Sequence, residues 1–164
     1  MSLQTLEDLY VRHLEDLYSA EQQIREALPR IAGKATLPEL KKVFDAHTKQ
    51  TEKQIERLKK IFASLQKSPL AKRCVGMEGL LQECDEVIKE EMNPIVRDSA
   101  LIATVQRVKD YEISAYGTAI AYARLLKDNE AANLFALTLD EENQTDEILA
   151  NIAQGGVNEA ALLK

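Results

Sequence analysis

The chain has 164 residues, carries 27 acidic against 21 basic side chains for a formal charge of −6, and contains two cysteines and two histidines. That balance argues against nucleic acid or an anionic membrane surface as partner, and no apolar run approaches membrane-spanning length. The polar, acidic start "MSLQTLEDLY" lacks the basic and apolar regions of a secretory signal, so a cytoplasmic protein is expected. Cys74 and Cys84 match neither a CxxC pair nor a zinc-ligand spacing, which leaves two buried thiols as the expectation.

Ala, Leu, Glu, Lys and Gln dominate and β-branched clusters are scarce, so the chain reads as all-α and as a single domain over 1–164. A first helix is expected over 3–31, capped by Ser2 or Thr5 and stopped at Gly33. Thr36 then caps a second helix over 38–65, with Pro38 in its first turn, and "QKSPL" ends it. A shorter helix over 72–90 carries "CVGMEGLLQECDEVI". Asn93-Pro94 leads into a long helix over 95–126. Asp128 or Asn129 caps a last one over 129–154, which Gly155-Gly156 closes. Two long hairpins joined by a helical insertion describe a four-helix bundle with one long crossover, the connectivity of ferritin-like folds.

Polar residues interrupt the apolar stripes of these helices. Leu14, Leu17, Glu21, Ile24 and Leu28 share a face of the first, and Leu101, Val105, Val108, Glu112, Ala115 and Ala119 a face of the long third. Phe135, Thr138, Glu142, Thr145, Leu149 and Ile152 line the last, with Asp146 a turn beyond Glu142, and the second contributes His47, Thr51 and Gln54. The period does not decide between Glu141 and Glu142. A lone buried carboxylate is protonated or paired, and several converging on one axis repel one another. A bound cation removes that penalty, so Glu21, Glu112 and Glu142 are expected to hold a metal. The bland alternatives are a Glu21 that reaches solvent or pairs with Arg25, a hydrogen-bonded core His47, and threonines bonded to the preceding turn.

The segments "EDLYVRHLEDLYSAEQQI", "FDAHTKQTEKQIERL", "KRCVGMEGLLQE", "VRDSALIATVQRVKDYEISAYGT" and "LDEENQTDEIL" resemble the YciE/YciF family of bacterial stress-associated proteins, a branch of the ferritin-like superfamily. The resemblance spans residues 3–153 and implies a homodimer with a dinuclear metal site at the bundle centre. Carried over residue by residue, it matches Glu21 and Glu112 to the single glutamates of the first and third bundle helices. The other two helices of such centres each supply Glu-x-x-His. Here the second offers Thr51 with Gln54, and the fourth offers Glu142 with Thr145, followed by Asp146, while His47 is displaced. The resulting ligand set, Glu21, Glu112, Glu142, Asp146, Gln54 and His47, is rich in oxygen. It suits iron first, with manganese, magnesium or calcium as alternatives, and weakens an oxygenase or ferroxidase reading. Tyr18, Tyr111 and Tyr116 flank the ligands as packing residues or as hydrogen-bond donors to them.

Two functions follow as expectations. One is a metal-binding stress protein that handles iron or oxidant; the other is a non-catalytic scaffold that kept the fold and lost the chemistry. No Gly-rich phosphate loop, HExxH motif or GxSxG elbow points to another enzyme class. The insertion stripe Met77, Leu80, Leu81, Cys84 and Val87 needs a cover, either a partner subunit or the bundle itself.

Overall fold

The computed structural model describes residues 3–69 and 72–164. Among them the chain forms α1 (Leu6–Ala32), α2 (Pro38–Ser64), α3 (Val75–Lys89), α4 (Pro94–Leu125), α5 (Asn129–Ile152) and a short α6 (Asn158–Leu162), with no strand. None of these helices is long and apolar enough to cross a membrane.

The α1–α2 and α4–α5 hairpins pack against each other through α1·α4 and α2·α5, so α1 lies diagonal to α5 and α2 to α4. That is a four-helix bundle whose single long crossover, α2 to α4, carries α3. Its apolar core has two parts. Leu28, Phe44, Leu101 and Leu149 belong to one, and Tyr10, Leu14, Phe62 and Phe135 to the other.

The crossover is fastened to α1 by two buried polar side chains. Ser19 Oγ accepts from the Cys74 amide at 2.8 Å, and Gln23 Nε2 donates to the Cys74 carbonyl at 3.1 Å. Gly76 lies so close to the Tyr111 ring that a Cβ there would meet it at 3.1 Å, which fixes the approach of α3 to α4. Met77, Leu81 and Cys84 are buried in the main core, so the insertion stripe is covered by α1 and α4 of the same chain.

Helix ends follow the sequence except that α1 begins at Leu6, three residues later than expected, and at three further places. Thr5 caps α1 through a full capping box with Asp8, and Asp128 caps α5; Ser2 lies outside the described residues. Thr36, expected to cap α2, instead joins the Leu37 amide in binding Asp98 of α4, and α2 starts without a side-chain cap. The insertion helix begins at Val75, three residues later than expected. Finally, Gly155-Gly156 does not stop the chain. Gly156, at φ 134°, lies inside a wide π-helical turn over Ala153–Val157 that redirects the backbone into α6. The tail packs on α4, where the Ser99 hydroxyl bonds Asn158 Oδ1 at 2.5 Å.

Candidate metal centre

The polar residues of the four stripes meet midway along the bundle. Glu21, Thr51, Gln54, Glu142, Glu112 and His47 are all 0–1% exposed. Glu21 has no access to Arg25, which bonds Gln22 instead. Glu142 is the inward acid of its pair. Glu141 sits at the rim in a two-pronged ion pair with Arg57, both contacts 2.7 Å.

The sequence reading missed one member, Lys109 on α4, which is 0% exposed. Its ammonium contacts His47 Nε2 and Glu142 Oε2 and lies 2.7 Å from Glu112 Oε2. His47, Glu112 and Glu142 each place one donor atom within 4.8 Å of the others, a spacing able to hold a cation. In this structure the cation among them is the lysine's own. The signal in the sequence was the spacing Val105, Lys109, Glu112, Tyr116, which places Lys109 on the inward seam of α4.

The rest of the centre is less well satisfied. Gln54 Nε2 donates to Glu142 Oε1 at 2.5 Å and to Glu141 at 3.0 Å, and the Tyr116 hydroxyl donates to Glu21 Oε1 at 2.5 Å. Glu21 Oε2, Gln54 Oε1, Thr51 Oγ1, Glu112 Oε1 and His47 Nδ1 have no protein partner. Thr51 thus departs from the expectation of a hydroxyl bonded to its own helix, whereas Thr138 and Thr145 fulfil it. Asp146 points away from the centre and accepts from Gln106 Nε2 at 3.0 Å. Of the other tyrosines, Tyr111 bonds Cys74 Sγ at 3.0 Å and Tyr18 packs edge-on against Phe62.

The electrostatics reflect three carboxyls enclosed with one ammonium. Burial first, then the charge of Glu142, pushes Glu21 up to about 8, against the pull of Tyr116 and Lys109. The same two causes hold Glu112 well above the usual carboxylate range. Burial works against the charge of Lys109, but Glu112 and Glu142 outweigh it and keep the ammonium protonated. His47 is held neutral by burial and by the neighbouring Lys109.

Chemically, the centre has two sides. On one, His47, Glu112 and Glu142 surround an ammonium. On the other, Glu21, Thr51 and Gln54 present oxygens without hydrogen-bond partners in a water-excluded core, the type of donor a hard cation takes. A pair of ions does not fit, because the second would have to displace Lys109, and Thr51 and Thr145 stand where a dinuclear centre takes glutamate and histidine.

Fold and centre together define an all-α bundle protein with a buried carboxylate core. A family profile described as a domain of unknown function, DUF892, matches residues 5–162, and the chain belongs to that family. It is 40% identical over 162 residues to protein YciF of Escherichia coli strain K12, covering 98% of both chains. Its fold superposes on the crystal structure of the E. coli stress protein YciF with a TM-score of 0.92, covering 95% of this chain and 99% of that one at 40% identity. YcfI from Rhodopseudomonas palustris matches with a TM-score of 0.88 at 38% identity, covering 91% of this chain and 95% of that one. A Xanthomonas campestris protein shares the fold at 19% identity, with a TM-score of 0.75 and 94% of each chain covered.

Proposed function

We propose that this chain is a metal-binding member of the stress-associated YciF group, holding a single divalent cation on the Glu21 side of the bundle centre. One observation carries the reading: Glu21 Oε2, Thr51 Oγ1 and Gln54 Oε1 are buried oxygens with no hydrogen-bond partner, next to an acid, Glu142, that Gln54 itself orients. Native cores rarely leave several such atoms unpaired, and a cation satisfies them together. Glu21 and Glu142 supply charge, Gln54 supplies a neutral carbonyl oxygen, and the Tyr116 hydroxyl fixes the Glu21 carboxyl. When bound, such an ion supplies Lewis acidity and, if it is iron or manganese, one-electron chemistry. An oxygen-rich set of this kind favours iron, manganese, magnesium or calcium.

The test is elemental analysis of extensively dialysed protein beside Glu21→Gln. One divalent ion per chain that the variant loses supports the reading. A second reading, the non-catalytic scaffold, is favoured by Lys109, which already neutralises part of the centre; metal-free protein that melts identically with and without chelator selects it. The family resemblance also supports a cytoplasmic homodimer, and a monomer by light scattering would remove that part.

A further inference from the structure

We infer that Lys109 is a resident cation standing where a second metal ion would sit, so that His47, Glu112 and Glu142 hold an ammonium and only the Glu21 side is open to metal. This inference rests on the metal reading above for the open side, but its own geometry is independent of it.

An ammonium has three N–H donors and no acceptor. Lys109 Nζ meets three acceptors, His47 Nε2, Glu112 Oε2 and Glu142 Oε2, drawn from α2, α4 and α5. Two of these contacts are hydrogen bonds and the third, to Glu112 Oε2 at 2.7 Å, is an ion pair, so atoms from three helices surround the ammonium. Those same three side chains form the group whose donor atoms are spaced for a cation among the described residues. Lys109 lies three residues before Glu112, so one turn of α4 presents both the cation and one of its ligands.

The ammonium is also hard to remove. Lys109 is 0% exposed, and Val105 and Val108 of its own helix are buried with it, so its side chain is closed off from water. An arriving metal ion would break all three contacts and leave an unpaired charge in the core.

The experiment is titration of chelator-treated full-length protein with Co²⁺, read by calorimetry and by visible cobalt absorbance, on the native chain, Lys109→Glu and Lys109→Gln. Circular dichroism confirms that each variant folds. One ion in the native chain and two in Lys109→Glu, with a second absorbance band, is the expected result. Two ions in the native chain, or one in the native chain and in both variants, would overturn the role of Lys109 while leaving the single-metal reading intact. No ion in the native chain but one or more in either variant would support the lysine and sink the single-metal reading. No ion in any of the three removes both. Should Lys109→Glu fail to fold, Lys109→Gln carries the comparison, with the second ion binding more weakly because it lacks the added carboxylate.

Discussion

Asp98 and Glu21 are both fully buried acids on helices of the same bundle, and they are treated in opposite ways. Asp98 receives the Thr36 amide at 2.8 Å, the Thr36 hydroxyl at 2.5 Å and the Leu37 amide at 2.9 Å, which leaves both oxygens partnered. Glu21 receives one hydroxyl and keeps a bare oxygen. Burial alone therefore does not mark a functional acid. An acid with both oxygens partnered by the chain is a fastener, here pinning the α1–α2 turn to α4. An acid left unfilled beside other unfilled oxygens is available to a ligand.

Substitutions that separate the two regions differ in size. Asp98→Ala removes three hydrogen bonds from a part-buried joint and is expected to cost about 2–4 kcal/mol in urea unfolding, whether or not metal is present. A metal-dependent loss there would break the contrast. Glu142→Gln removes the carboxylate facing Lys109 and is expected to cost about 3 kcal/mol, the low end for a broken buried pair because Glu112 can ionise in its place. Unlike the first loss, this one should change when divalent metal is added.

The pH dependence sharpens the comparison further. Glu21 and Glu112 hold protons in the folded chain that they release on unfolding, so their contribution is full below about 4.5, declines as pH rises, and for Glu21 is gone above about 8. His47, kept neutral when folded, opposes this only below its ordinary value of 6.5. Between pH 6.5 and 8 metal-free protein should therefore lose stability at up to about 1.4 kcal/mol per pH unit from Glu21, and Glu21→Gln should lose less. A flat profile in the native chain would mean that the centre is not holding these protons. Smallest is Tyr116→Phe, at about 1 kcal/mol, which should also weaken metal retention because Glu21 loses the donor that orients it.

The long helices were legible because their stripes repeat over six or more turns, and Glu21, Glu112 and Glu142 stood out as acids within those stripes. Three things were hidden. Thr36 looks like a cap by its neighbours alone, and only Asp98, 62 residues away, shows that it is a clasp. Lys109 sits on the inward seam of α4, yet a lysine there reads as solvent-facing because burying it is costly unless acceptors arrive from elsewhere. Those acceptors come from α2 and α5, which no local pattern on α4 announces. The docking of the tail was hidden likewise, since a glycine pair looks like an ending until the π-helical turn is seen.

The spacing of Lys109 and Glu112 on one turn has a consequence for assembly. Lys109 and Glu112 are brought together by helix formation itself, so one of the ammonium's three contacts is local in sequence, while those from α2 and α5 form only when the bundle closes. The shell of side chains around the ammonium is thus supplied entirely by the chain, from three helices of one bundle.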